Sequence, residues 1–239
     1  MKLLLINSAS SDPFCGFYDG KDISVSHTSE FISENEKSSR QQDKLINCLQ
    51  KISEMHRKDF QSIDAISVVT GPGSFTGIRV GIAMAKGISM ALDKKIIPVT
   101  NFELTLNRMK EVKARSKYCV LIAGKLPEYY YGFMQEGKEL SRGFVPISEI
   151  SAILDRKTGQ SPVSTNIPAG QSPFSTEIVG DFGEETGFQL RAFDVMNIGG
   201  QKTEVESMLE LSLKYYGEGK LFPAEKIQPV YIKDFVVRK

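Results

Sequence analysis

One stretch of the chain, VVTGPGSFTGIRVGIAMAKGISMAL at residues 68–92, constrains the fold more than any other. A short β-branched run leads into a glycine-rich turn, and the turn leads directly into a helical pattern. We predict a strand over 65–70 and a helix over Phe75–Leu92, with Ser74 as the helix N-cap. A buried strand followed at once by a long helix indicates an α/β fold.

The elements around this stretch predict a mixed sheet. An apolar run at 3–6 indicates a buried strand, and Asp19-Gly20 lies between two strand-like runs as a hairpin turn in which both residues need positive φ. Apolar residues at three- and four-residue spacing predict a first helix over 38–55, and a fifth strand follows at 95–99. The order β-β-β-α-β-α-β describes a hairpin feeding a sheet that becomes parallel through crossover helices.

The second half gives a weaker pattern, and we expect two domains, 1–100 and 101–239. Residues 157–175 are rich in Ser, Thr, Pro and Gly, which predicts a surface loop. The other predicted elements are strands at 118–124 and 128–137, a strand ending in a turn over 177–183, a short helix opened by Ser148, and a helix at 203–216.

Charge and cysteine usage exclude several classes of protein. Lys and Arg number 30 against 29 Asp and Glu, a net charge of +1, so no bulk attraction to nucleic acid or membrane is expected. The three cysteines, Cys15, Cys48 and Cys119, are odd in number and form no CxxC pair, which argues against a disulfide framework or a zinc site. We therefore expect a cytoplasmic protein with no membrane partner and no bound metal.

Neither common phosphate-binding pattern fits the glycine-rich turn. A P-loop beginning at Gly71 would need glycine at Thr76, and neither lysine nor a hydroxyl residue follows Gly77. Gly71 and Gly73 begin a GxGxxG pattern, but Thr76 again replaces its third glycine. The structural interpretation is a tight turn made by Gly71, Pro72 and Gly73.

A row of small residues follows inside the predicted helix. Gly77, Gly81, Ala85 and Ser89 recur at four-residue spacing and share one side. Glycine inside a helix costs roughly 0.5–1 kcal/mol relative to alanine, so the row suggests close approach of another backbone. Since isoleucines are placed to face the sheet from the other flank, we interpret one of the two sides as a contact with another protein.

Other candidate chemistry is weak. His27 and His56 are too far apart for an HxxxH metal pair, and the chain has no HExxH. Asp181, in GDFG, is a candidate ligand contact or a strand-end turn residue. The EYYYGF run offers either an aromatic platform for bases or core packing, and strand alternation favours the core.

The turn and helix together, GPGSFTGIRVG, resemble the signature of the bacterial TsaB (YeaZ) family. IIPVTNFELTL, EYYYGFM and QPVYIK resemble further family segments. The resemblance implies an α/β fold of the actin-like ATPase (ribonuclease H-like) type, in two subdomains that each hold a mixed sheet flanked by helices. The signature positions are Gly71, Pro72, Gly73, Ser74, Phe75, Thr76, Gly77 and Arg79.

The resemblance also implies a function without catalytic residues in this chain. A TsaB-like protein is a scaffold that binds a TsaD-like catalytic subunit, and the complex transfers a threonylcarbamoyl group to adenosine 37 of tRNA. ATP and metal are then expected on the catalytic partner. A TsaE-like ATPase is expected in the assembled complex, and tRNA is expected to contact this chain only indirectly. Asn7 stands where the family has Asp, so Asn7 and Asp181 are expected to form a degenerate nucleotide site. The alternative is a stand-alone actin-like ATP-binding enzyme.

In the resembled family the first two helices form one surface that serves both a homodimer and the catalytic partner. We therefore expect Leu49→Glu or Ala85→Glu to weaken both associations. The expected interface residues are Leu45, Leu49, Ile52, Gly77, Gly81, Ala85 and Ser89.

Overall fold

The chain divides into two compact units, which are described separately. The first unit joins 1–101 to 205–230, and the second contains 102–204 and 231–239. The computed structural model describes residues 1–31, 41–109, 112, 117–124, 128–149, 176–180, 195–197 and 202–232.

The first unit is built on a five-stranded mixed sheet with the order β3-β2-β1-β4-β5. β1, β2 and β3 are antiparallel neighbours, whereas β1, β4 and β5 run parallel, which confirms the predicted sheet. All seven positions of β4 are buried, as expected of a strand covered on both faces. The strands are β1 Leu3–Asn7, β2 Phe14–Tyr18, β3 Ile23–His27, β4 Ala65–Gly71 and β5 Lys95–Thr100.

The hairpin turn differs from the prediction. Strand pairing ends at Tyr18 and Ile23, so the loop has four residues. Of the predicted turn pair Asp19 and Gly20, only Gly20 has a positive φ, 107°. The Asp19 carboxylate accepts hydrogen bonds from the N–H groups of Lys21 and Asp22, both at 2.8 Å. Because the carboxylate closes the loop through the backbone, Asp19 does not need the left-handed conformation.

Three helices connect the strands of the first hundred residues, two between β3 and β4 and one between β4 and β5. α3 spans Phe75–Leu92, its predicted bounds. α1 spans Gln41–Met55, which lies within the predicted 38–55, and positions 38–40 lie outside the described residues. α2, Arg57–Phe60, was not predicted. Apolar side chains of α1 and α3 form one core with β1, β2 and β4. Among the described residues α3 is the one helix long and apolar enough to cross a bilayer by length and composition, and 33% of it is buried within the chain.

The second unit holds another five-stranded mixed sheet, with the order β10-β9-β6-β7-β8. The adjacent strands predicted at 118–124 and 128–137 form an antiparallel pair, as expected. Ser148 lies in a 3₁₀ turn, and the loop predicted at 157–175 lies outside the described residues. The elements are α4 Asn101–Asn107, β6 Lys117–Ala123, β7 Glu128–Gln135, β8 Lys138–Pro146, β9 Thr176–Gly180 and β10 Val195–Asn197.

The central tyrosines of β7 pack in the core of this unit. Tyr129 and Tyr131 are buried, and Tyr130 is half-buried. A methyl group at Gly143 would lie 2.4 Å from the Tyr131 hydroxyl oxygen, so the neighbouring strand leaves room for that ring. Core packing, rather than a base-stacking platform, is the observed use of Tyr129 and Tyr131.

The last helix corrects the predicted domain boundary. α5, Glu204–Gly217, packs with the first unit, although it was assigned to 101–239. The Ser212 and Ser67 hydroxyl oxygens lie 2.7 Å apart, on the face of β4 opposite the α1 and α3 core. Beyond α5, Phe222 and Ile96 exchange two backbone hydrogen bonds of 2.8 and 2.9 Å. Sequence spacing does not show which sheet a terminal helix covers.

We predict that Ser212→Ala lowers the free energy of unfolding by about 1–3 kcal/mol, because it leaves the buried Ser67 hydroxyl without its partner. The double variant Ser67→Ala/Ser212→Ala removes both groups and should be less destabilised than the sum of the single variants. Equilibrium urea unfolding of the three variants measures this coupling. Additive effects would show that the two hydroxyl groups do not interact.

Candidate functional site

The glycine-rich turn is explained by backbone geometry. Gly71 and Gly73 have φ of 105° and 152°, in the region that residues with a side chain rarely adopt. The Ser74 hydroxyl accepts a hydrogen bond of 3.2 Å from the Gly77 N–H, which confirms Ser74 as the N-cap of α3. These glycines therefore have a structural use that requires no phosphate.

The other signature residues either hold this turn or lie on its surface. The Asn101 side-chain amide donates a 2.5 Å hydrogen bond to the carbonyl oxygen of Pro72. The Arg79 guanidinium lies 3.6 Å from the centre of the Phe75 ring, and both residues are exposed. Thr76, beside them in the first turn of α3, is exposed as well.

The close approach expected at Gly77 and Gly81 is made by the chain itself. A methyl group at Gly77 would lie 2.2 Å from the backbone oxygen of Ser8, and one at Gly81 would lie 2.1 Å from the Ser8 hydroxyl oxygen. Ile78 and Ile82 are buried on the same side of α3. The small row and the isoleucine row are thus adjacent parts of one core-facing side, so the expected second, partner-facing side is wrong for these residues.

Burial also changes the interface expected on both helices. Leu45, Ile52, Ala85 and Ser89 are at most 5% exposed, and the first three lie in the core. They cannot contact a partner while the unit is folded. Ala85→Glu would bury a carboxylate in that core and unfold the unit rather than test docking. Of the expected α1 residues, only Leu49 is half-buried and able to contribute to an outer surface.

A different set of residues forms an outer surface where α1 contacts α3. Positions 46, 49 and 53 of α1 and positions 80, 84 and 87 of α3 recur at helical spacing beside the core positions. Ile46 is 53% exposed and Met90 is 77% exposed, and every residue of the set is uncharged. We call this set the α1/α3 face: Ile46, Leu49, Ser53, Val80, Ala83, Met84, Gly87, Met90 and Ala91.

Of the two predicted nucleotide-site residues, the structure describes Asn7. Asn7 is fully buried at the end of β1, and its Oδ1 accepts a 3.1 Å hydrogen bond from the Ala9 N–H. That contact fixes the turn after the strand, a structural use of the side chain. Asp181 lies outside the described residues.

The two histidines are separated and have different neighbours. His27 Nδ1 lies 3.2 Å from the Asp12 carboxylate. The half-buried His56 ring stacks on Phe17 with 4.4 Å between ring centres. Within the described ranges, no three His, Cys, Asp or Glu side chains are placed to hold a metal ion.

The cysteines are poor nucleophiles in this fold. Burial raises the pKa of the Cys48 thiol to about 11 and that of Cys119 to about 12. Burial and the neighbouring Cys48 raise the pKa of Cys15 further. Since the thiolate is the reactive form, these three thiols are inert near neutral pH.

Comparison with known proteins adds sequence relatives. The family model for TsaD, tRNA N6-adenosine threonylcarbamoyltransferase, matches residues 33–149. The tRNA threonylcarbamoyladenosine biosynthesis protein TsaB of Escherichia coli is 25% identical over 183 residues, covering 74% of each chain. The protein of the same name from Haemophilus influenzae is 25% identical over 181 residues, covering 74% of this chain and 73% of its own.

Solved structures show the same fold. YeaZ from Pseudomonas aeruginosa has a TM-score of 0.64 at 17% identity and covers 96% of this chain and 99% of its own. MreB5 of Spiroplasma citri bound to ADP has a TM-score of 0.51 at 6% identity, covering 92% and 97%. The two mixed sheets flanked by helices are therefore an actin-like ATPase fold, as the resemblance implied.

The similarity to TsaB proteins extends over three quarters of the chain, and the fold similarity to YeaZ over nearly all of it. The signature turn has the geometry that its glycines and its N-cap serine predict. The sequence relatives and the structural neighbours together support the TsaB (YeaZ) family, and the two sequence relatives are tRNA threonylcarbamoyladenosine biosynthesis proteins.

Proposed function

We infer that the chain acts in tRNA threonylcarbamoyladenosine biosynthesis as a non-catalytic scaffold that binds a TsaD-like catalytic subunit. The observation that carries this proposal is the uncharged α1/α3 face, of which Ile46, Ala83, Gly87, Met90 and Ala91 are exposed and the other residues partly buried. ATP and metal bind to the catalytic partner, and a TsaE-like ATPase joins the assembled complex. The complex binds tRNA in the cytoplasm, so this chain contacts tRNA only indirectly. The isolated chain forms a homodimer.

The α1/α3 face has the composition of the centre of a protein interface. Charged residues make up 25% of the chain, yet the face has none. Interface centres are depleted of charge and enriched in large apolar side chains such as the exposed Met90. Contiguous apolar surface on a folded unit usually marks a partner site.

The neighbourhood of Asn7 supports a scaffold rather than an independent ATPase. An amide is a weaker ligand than a carboxylate for a hard divalent cation, and its oxygen is already used by Ala9. The fold similarity to MreB5 bound to ADP supports the competing candidate, an ATP-binding enzyme acting alone. Both candidates are separated by assaying ATP binding and hydrolysis by the purified chain.

We predict that Ile46→Glu strongly weakens capture of the TsaD-like subunit from the same genome. A desolvated, unpaired carboxylate costs several kcal/mol, so the dissociation constant should rise at least about a hundredfold. Co-purification measures binding, and threonylcarbamoyl transfer to tRNA by the mixture measures function. Circular dichroism checks that the variant is folded.

Met55→Glu is the matched control. Met55 lies on the same helix and is 58% exposed, close to the 53% of Ile46, but nine residues of separation place it on the opposite side of α1. Met55→Glu should bind and support transfer as the unmodified chain does. Equal binding by the Ile46→Glu variant would contradict docking on the α1/α3 face, and ATP turnover by the chain alone would contradict the scaffold role.

A further inference from the structure

A crevice is bordered by the N-terminal ends of α1 and α3 and by the loop that connects β1 to β2. It has about 220 Å³ of space up to its open mouth. Its polar lining residues, Ser8, Gln42 and Thr76, all have side chains that donate hydrogen bonds. The described residues of the lining are uncharged: Ser8, Pro13, Gln42, Leu45, Thr76, Gly77 and Val80.

The hydroxyl group of Ser8 is buried and has no hydrogen-bond partner among the described residues. Ser8 follows β1 directly and is 2% exposed, and its hydroxyl oxygen lies beneath α3 beside Gly81. A buried polar group without a partner is costly, and in a native fold it needs an explanation. Because Ser8 lines the crevice, a molecule bound there can supply the acceptor for this hydroxyl group.

The first turn of α3 adds a backbone donor to the same crevice. The first N–H groups of a helix have no acceptor within the helix, and they give its N-terminus a partial positive charge. The Ser74 hydroxyl accepts the hydrogen bond of the Gly77 N–H, whereas the N–H of Thr76 precedes it and has no acceptor within α3. Donors at a helix N-terminus are suited to an anion.

The acids near the crevice are either bound or exposed to water. Asp12 belongs to the same loop as Ser8, and its carboxylate accepts hydrogen bonds of 3.1 and 2.9 Å from the N–H and hydroxyl groups of Ser29. Asp43, on α1, is exposed, so water and salt screen its charge. Arg79, in the second turn of α3, adds a positive charge.

We propose that this crevice binds a small oxyanion, a phosphate or a carboxylate. The hydroxyl groups of Ser8 and Thr76, the Gln42 side-chain amide and the Thr76 N–H donate to its oxygens, and hydrogen bonds to a charged acceptor are the strong ones. Gly71 and Gly73 take no part, so the site differs from the phosphate-binding turns that the sequence excludes.

The test titrates sodium phosphate and sodium isobutyrate separately into the ¹⁵N-labelled chain, with sodium chloride holding the ionic strength constant. Amide chemical shifts of Thr76 and Gly77 report binding, and isobutyramide is the neutral control for isobutyrate. We expect saturable shifts with at least one of the two anions and none with isobutyramide. The anion that binds more tightly identifies the source as phosphate or carboxylate. A lack of saturation with both anions, or an equal response to isobutyramide, would overturn the proposal.

Ser8→Ala and Ser10→Ala are matched variants. Both hydroxyl groups lie in the β1–β2 loop and are buried without a partner among the described residues, and of the two residues Ser8 lines the crevice. Ser8→Ala should raise the dissociation constant of the anion about tenfold, because a hydrogen bond to a charged ligand is lost. Ser10→Ala should leave it unchanged. Equal anion binding by Ser8→Ala and the unmodified chain would contradict the site.

Thermal unfolding separates a ligand contact from a structural role of Ser8. Without added anion, Ser8→Ala should have a Tm at least as high as that of the unmodified chain, since it removes a hydroxyl group that has no partner. Saturating anion should raise the Tm of the unmodified chain more than that of Ser8→Ala, which corrects for the general effect of the salt. A lower Tm of Ser8→Ala without anion would show that the hydroxyl group has a partner within the fold, and would overturn the proposal.

Discussion

Gly77→Ala is expected to lower the free energy of unfolding by about 3 kcal/mol, at the upper end of the usual cost of overpacking. The added methyl group would lie 2.2 Å from the backbone oxygen of Ser8, and a backbone atom at the end of β1 cannot rotate away. Relief requires α3 to move off the sheet that it covers. Equilibrium urea unfolding measures the loss.

Two variants of the same helix set the scale for this effect. In Gly81→Ala the collision is with the Ser8 hydroxyl, a side-chain atom that can change rotamer, so the loss should be smaller. Gly87→Ala meets open space and should gain roughly 0.5–1 kcal/mol in the monomer. A ranking in which Gly77→Ala is the mildest of the three would show that α3 does not rest on Ser8 as described.

Phe102→Ala is expected to lower the free energy of unfolding by about 3–5 kcal/mol, because it empties the centre of the core of the second unit. Phe102 is fully buried with Tyr118, Val120 and Met134. Its ring lies over Gly132, where a methyl group would approach the ring atoms to within 2.8 Å. Urea unfolding followed by circular dichroism measures the cost.

Gly132→Ala tests the same contact from the other side. Alone it should destabilise by about 1–3 kcal/mol, since it overpacks the ring. In the Phe102→Ala background the same methyl group enters the space left by the ring and should do little harm, so the two changes should be less than additive. If Gly132→Ala destabilised the Phe102→Ala variant as much as it destabilises the unmodified chain, the Phe102 ring would not lie over Gly132.

Local signals in the sequence were sufficient for much of the fold. The helix Phe75–Leu92 has its predicted bounds because a strand, a glycine turn and a capping serine all mark its beginning. The hairpin between β2 and β3 was also predicted, but not its turn type. An Asp-Gly pair can form a turn either with both residues at positive φ or with the Asp side chain bonded to the backbone, and the sequence does not distinguish the two. The Asp19 carboxylate forms the second kind of turn.

The candidate site was less predictable because burial depends on what lies across from each residue. Gly77 and Gly87 are the same amino acid in one helix, yet one contacts Ser8 and the other faces open space. Ala85 and Ala83 differ in the same way, the first being buried and the second exposed. Helical spacing assigns residues to sides, but only the packed sheet decides which side is the core.

The return of α5 to the first sheet has a consequence for synthesis of the chain. The first unit is discontinuous: its sheet ends near residue 101, and the helix that covers Ser67 begins at Glu204. During translation β1, β4 and α3 leave the ribosome long before Ser212 does, so one face of a growing sheet stays uncovered while the second unit is made. Exposed apolar strands favour aggregation, and a chaperone that holds nascent chains would therefore act on this face, which the finished protein no longer exposes.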